Sequence, residues 1–119
     1  MTRTLWETVL VSSLVLTCGF TAAAVAAGDA QKGKSIYAAR CAFCHGLAGK
    51  GDGPAGASLK PPPTNFSAAD YWKTATVTSM TETIANGKPG TAMVPFKASL
   101  NDEQLDDLIA FLATFKPQP

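Results

Sequence analysis

Cys41-Ala42-Phe43-Cys44-His45 is the C-x-x-C-H pattern around which the rest of the chain is organised. Two cysteines three residues apart on a helical turn face the same side. Their sulfurs can then form thioethers with two vinyl groups along one edge of a single haem. His45, directly after them, presents an imidazole nitrogen to the iron, and this spacing is the attachment pattern for c-type haem. Other uses of the same residues are weaker. A redox disulfide between Cys41 and Cys44 belongs in a βαβ setting, and no stretch shows sustained strand alternation. A zinc site calls for about four ligands, but His45 is the only histidine of the chain and leaves three candidates. A motif without a chemical role is the bland alternative.

Upstream, Asp29 caps a helix running to Arg40 and on toward His45, with Ile36, Tyr37 and Phe43 as its larger apolar side chains. Gly46 is placed to end it. Residues 46–66 then hold five glycines and four prolines, which leaves no room for a core helix or strand. So long a loop in a compact domain is functional or disordered, and Leu59 and Phe66 favour wrapping something apolar. Ser67-Ala68-Ala69-Asp70 has capping-box spacing and opens a short helix through Tyr71 and Trp72. Val77, Met80 and Ile84 share one helical face, and Asn86-Gly87 stops that helix. Lys88 to Lys97 is a second loop, bounded by Pro89, Gly90 and Pro95. Asn101, reciprocated by Gln104, caps a last helix with the stripe Leu105, Leu108, Ile109 and Leu112, joined by Phe111 and Phe115. The fold class is all-α, with three or four short helices and long loops around a filling that helix packing alone does not supply.

The chain has 119 residues, enough for one domain, with 46% hydrophobic and 16% charged residues. That composition excludes a disordered charged tail, and a net charge of +1 gives no electrostatic basis for nucleic-acid binding. Three cysteines, Cys18, Cys41 and Cys44, do not make a disulfide framework. After Arg3 and Glu7 no charge occurs until Asp29. The apolar run Val9 to Phe20 and the small-residue run Thr21 to Ala27 are the pattern of a secretory signal peptide cleaved after Ala27. The rival is an uncleaved anchor, since Val9 to Ala27 is 19 uncharged residues. Residues 1–27 are therefore a leader or anchor and 28–119 the functional domain, periplasmic and membrane-bound only if the leader is retained. A domain of 92 residues buries a modest core and gains from a staple.

A haem iron takes a second axial ligand or keeps an open face. Within residues 28–119 the methionines are Met80 and Met93. Met80 lies on the apolar stripe of its helix and is accounted for by packing. Met93, between Gly90 and Pro95, has no helical face to fill and is the better ligand candidate. His/Met pairing raises the reduction potential.

These residues resemble the class I, monohaem cytochrome c family, bacterial respiratory type, over nearly all of residues 28–119. Gly33, Tyr37, Cys41, Cys44 and His45 fall at the spacing of that family's first helix, and Phe111 matches the aromatic of its last. The resemblance implies that Gly33 and Tyr37 meet Phe111 near the haem. It also implies that the Pro54 carbonyl accepts the other imidazole proton of His45, fixing the ligand, and that Leu59 lines the pocket. Met-Val-Pro at 93–95 departs from the Met-Pro of many members. The Pro61-Pro62-Pro63-Thr64-Asn65-Phe66 stretch resembles bacterial respiratory members. Tyr71 and Trp72 pack in the core or touch the haem, with Trp72 a candidate donor to a propionate.

The function this implies is single-electron transport between a redox protein donor and acceptor, such as a dehydrogenase, oxidase or reductase. It would pass through one haem c held by Cys41 and Cys44 and ligated by His45 and Met93. The alternatives are a small haem enzyme or gas sensor with an open iron position, and a haem-bearing subunit of a larger oxidoreductase. The absence of a second histidine weighs against the enzyme. Residues 28–101 carry net +4 and residues 102–119 net −3, the acids suiting the N-terminal end of the last helix. Docking then relies on a small apolar patch at an exposed haem edge with a weakly charged rim.

Overall fold

Asp29 opens the first helix, α1 (Ala30–Arg40), because its carboxylate accepts the N–H groups of Gln31 at 2.8 Å and Lys32 at 3.3 Å, which the helix itself leaves unpaired. The computed structural model describes residues 27–119, so the expected leader lies outside it save for Ala27. The expected single helix through His45 divides at Cys41 (φ −117°), and α2 (Ala42–His45) is a separate turn closed by Gly46 at φ +81°. The third helix, α3 (Val77–Asn86), begins with a Thr76–Ser79 capping box and stops at Gly87. The last, α4 (Asp102–Leu112), has the expected reciprocal cap between Asn101 and Gln104 and runs into a short 3-10 turn, Ala113–Phe115.

Among the described residues there is no strand, and the fold is all-α, with α1 laid mainly on α4 and α3 also packed against α4. The α1–α4 contact is a close one. A Cβ at Gly33 would run into the Asp107 carbonyl and crowd the Phe111 side chain, so only a hydrogen lets the helices approach this far. Asp107 is itself buried and accepts the Asp29 N–H at 2.6 Å, which ties the start of α1 to the middle of α4. Next to this crossing Tyr37 packs against Phe111 (5.2 Å between centroids) and Phe115 (5.3 Å), as expected for the first of these pairs. Its hydroxyl donates to the Gly46 carbonyl at 2.7 Å, so the one polar atom taken into this cluster is satisfied. The α4 stripe Leu105, Leu108, Ile109 and Leu112 is buried throughout and meets Met80 and Ile84 of α3.

One further local expectation is corrected. Ser67 does not cap a helix; its N–H and hydroxyl both go to Asn65 Oδ1, at 2.9 and 2.7 Å, and Tyr71–Lys73 is a 3-10 turn. Asn65 lies two residues upstream and captures the group first, as Asx turns do. Phe43 is not part of the core but 68% exposed, and Val77, at the outer end of its stripe, is 60% exposed.

Gly33→Ala tests the crossing. In an isolated helix alanine is favoured over glycine by about 1 kcal/mol. Here the added methyl meets α4 backbone, so the variant should lose about 1–3 kcal/mol of stability in denaturant melts. A gain would show that the helices do not cross this closely.

Candidate functional site

Cys41, Cys44 and His45 line a cavity of about 250 Å³ together with Leu59, Phe66, Met80, Ile84 and Met93. The placement follows from the turns just described. Tyr37 holds Gly46 and Gly51 N–H holds the His45 carbonyl at 2.7 Å, so the short helix α2 is anchored at its last residue. Cys41 and Cys44 are not joined to each other by a disulfide. Burial pushes the Cys41 thiol up to about 11, so it is neutral near pH 7. Redox C-x-x-C motifs instead have a thiol shifted downward.

His45 is held through Nδ1, 3.2 Å from the Thr64 carbonyl. A carbonyl only accepts, so Nδ1 carries the proton and Nε2 keeps its lone pair. Burial lowers the pKa of the ring, partly opposed by that hydrogen bond, so the imidazole stays neutral at physiological pH. A neutral ring with one nitrogen oriented and the other free is the form that ligates a metal.

The expected role of Pro54 is therefore corrected: Thr64 supplies the carbonyl. Pro54 is exposed and lies in a shallow groove with Phe43 and Leu47, apart from the cavity. The reason lies in the backbone on either side of it. Gly53 N–H donates to the Cys44 carbonyl (3.1 Å) and Ala55 N–H to the Phe43 carbonyl (3.0 Å), so this loop caps α2. The segment 61–66 instead returns over His45, where Phe66 N–H pairs with the Gly49 carbonyl at 2.7 Å. Gly51, at φ +78°, permits the approach, since a Cβ there would press on the Pro63 carbonyl at 2.5 Å.

Met93 and Met80 both reach the cavity from different elements. Met80 is buried on α3 beside Ile84. Met93 is half-buried on the loop, with its carbonyl accepting Lys88 N–H at 3.0 Å and its N–H donating to Thr91 Oγ1 at 3.1 Å. That loop is fastened to α3 by Phe96 N–H on the Ile84 carbonyl (3.0 Å) and Lys97 N–H on the Ala85 carbonyl (3.1 Å), carbonyls the helix end leaves unpaired. Trp72 packs in the core and gives its indole N–H to the Phe66 carbonyl at 2.7 Å, so its one donor is engaged within the protein. Among the described residues, Arg40 and Lys88 are the only charged ones lining the cavity, and no carboxylate does. Two thiols, a neutral imidazole, thioethers and apolar side chains suit a haem, whose propionates would meet cations.

Comparison with known proteins points the same way. The family model described as Cytochrome c matches residues 30–116. Cytochrome c-554(547) of Halothiobacillus neapolitanus is 35% identical over 92 residues, 76% of this chain and 100% of the relative. A chain of the Kuenenia stuttgartiensis reducing HAO-like protein complex Kustc0457/Kustc0458 superposes with a TM-score of 0.66 at 29% identity. The match takes in 76% of this chain but only 44% of that longer one. The KustC0563 c-type cytochrome gives a TM-score of 0.60 at 26% identity, over 71% of this chain and 98% of its own length.

Gly51→Ala and Gly90→Ala separate steric contact from backbone strain. Both glycines have positive φ, +78° and +76°, but a Cβ at Gly90 has nothing within 4 Å. Gly90→Ala should cost about 1 kcal/mol. Gly51→Ala should cost about 1–3 kcal/mol more in denaturant melts, because the methyl displaces the segment that carries Thr64. Equal losses would mean that Gly51 does not support this segment.

Proposed function

The chain belongs to the cytochrome c family, and on that premise we propose that it carries single electrons between redox proteins outside the cytoplasmic membrane, through one haem ligated by His45 and Met93. The family carries covalently attached haem c and performs haem-based electron transfer, and Cys41 and Cys44 are the thiols of this chain that fit its attachment motif. The observation that carries the proposal is the meeting of both cysteines, the neutral His45 ring and Met93 in one cavity without a carboxylate.

Bound haem supplies the ferrous–ferric couple, and a thioether ligand in apolar surroundings raises its potential. The chain's part is to hold still. His45 is oriented by Thr64, and Met93 by the backbone pairing with Lys88 and the hydroxyl of Thr91. His45 and Met93 would hold the haem from anchored backbone, so little would have to move when its charge changes. Met93 is preferred to Met80 because α3 already uses Met80 in its buried stripe. Among the described residues His45 is the one histidine, and with its Nδ1 proton engaged it is not available as a general acid, which supports a carrier over an enzyme.

The partners are a redox protein donor and acceptor, such as a dehydrogenase, oxidase or reductase, docking on a small apolar patch at the haem edge. Export rests on the charge-free apolar and small-residue run before Asp29, with cleavage after Ala27 leaving residues 28–119. Among the described residues no helix is long and apolar enough to cross a membrane. The match to part of a longer chain in the Kuenenia stuttgartiensis complex supports a second setting for the same site, an electron-transfer subunit of a larger oxidoreductase.

The test is the spectrum of the purified ferric protein. It should be low-spin with a weak sulfur-to-iron charge-transfer band that Met93→Ala abolishes and Met80→Ala retains. A high-spin wild-type spectrum with rapid cyanide binding would favour an open iron site, and loss of the band in Met80→Ala instead would exchange the two methionines.

A further inference from the structure

We infer that Phe66 is a positioning residue for His45, stacking on the imidazole and setting the plane in which that ring lies. This rests on His45 being the iron ligand. The two rings are 4.9 Å apart between centroids and only 21° from parallel. The Nδ1 bond to Thr64 is a single contact at 3.2 Å, and a carbonyl accepts over a broad range of directions. Taken alone it anchors one corner of the imidazole and leaves the ring free to rock about that point. A face-on contact with a rigid aromatic restricts the remaining freedom.

Phe66 is itself unusually well held for a loop residue. It is buried, with Phe115 nearly parallel to it (9°, 6.4 Å) and Tyr71 edge-on at 5.3 Å. Its N–H pairs with the Gly49 carbonyl at 2.7 Å and its carbonyl accepts the Trp72 indole N–H at 2.7 Å. Ring and backbone are thus both fixed, and the residue can impose its orientation on a neighbour. Thr64 and Phe66, two positions apart on one segment, act on the same imidazole from different directions.

Ring-plane orientation has a consequence that packing alone does not. The imidazole π orbital overlaps different iron d orbitals as the plane turns, so unpaired spin in the ferric protein is shared unequally among the four haem methyls. The order and spread of their proton resonances therefore report the plane for a fixed orientation of the Met93 thioether. The haem-loaded full chain should be compared with Phe66→Met, which keeps volume but removes the ring, and with Phe66→Tyr, which keeps the ring. Leu105→Ala is the control, since Leu105 is buried on α4 in the same core but does not line the cavity.

Phe66→Met should change the order or compress the spread of the methyl resonances, whereas Phe66→Tyr should keep the wild-type pattern. Leu105→Ala should lower the melting temperature and leave the pattern unchanged. If Phe66→Met does not mature, Phe115→Leu removes the backing of Phe66 and should shift the pattern in part. A wild-type pattern in Phe66→Met, or failing that in Phe115→Leu, alongside a lowered melting temperature, would reduce Phe66 to a packing residue. A high-spin wild-type spectrum would instead overturn the ligation on which this depends, so the two failures are distinct.

Discussion

The close crossing of α1 over α4 is the contact from which the rest of the structure follows. Gly33 lies against the Asp107 carbonyl, and the Asp107 carboxylate in turn takes the Asp29 N–H at the start of α1. Because the helices approach so nearly, Tyr37 is enclosed by Phe111 and Phe115, and its hydroxyl reaches the Gly46 carbonyl. That bond fixes the end of α2, and with it the direction in which Cys41, Cys44 and His45 face. The chain from a missing side chain at Gly33 to an oriented imidazole at His45 is continuous, each step a named contact.

Most of the remaining structure is backbone pairing in loops. Residues 46–66 and 88–97 contain no strand and little helix, yet their amides are used: Gly51, Gly53 and Ala55 donate to α2 carbonyls, Phe96 and Lys97 to α3 carbonyls, and Gly49 and Phe66 within the first loop. Buried peptide groups must be paired somewhere, and here the carbonyls at the ends of α2 and α3 provide many of the partners. A domain of this size has a limited apolar core, so a covalently held prosthetic group adds the staple that small domains need. This accounts for an all-α fold whose helices are short and whose loops line much of the cavity.

Much of this was legible in the residues alone, because the signals were side chains at fixed spacing. C-x-x-C-H marked the attachment point, Asp29 and Asn101 marked helix starts, and the Leu105–Leu112 stripe marked the buried face of α4. Other features left no such mark. The partner of His45 is a backbone carbonyl, which any residue possesses, and Thr64 rather than Pro54 supplies it because the loop at 53–55 is occupied in capping α2. Phe66 was readable as an apolar residue in a Gly- and Pro-rich loop, but its stacking on His45 depends on how that loop returns, which spacing does not encode. Ser67 has capping-box spacing but does not cap, because Asn65, two residues earlier, takes the same N–H.

That a single haem is joined to this polypeptide through Cys41 and Cys44, and forms part of its interior, is open to direct test. Extraction of the purified protein with acidified acetone, followed by a pyridine haemochrome assay and peptide mapping, addresses it directly. The colour should stay with the protein, at one haem per chain, on the peptide containing Cys41, Cys44 and His45. Release of the pigment into the organic phase, or a colourless chain that folds equally well, would contradict it.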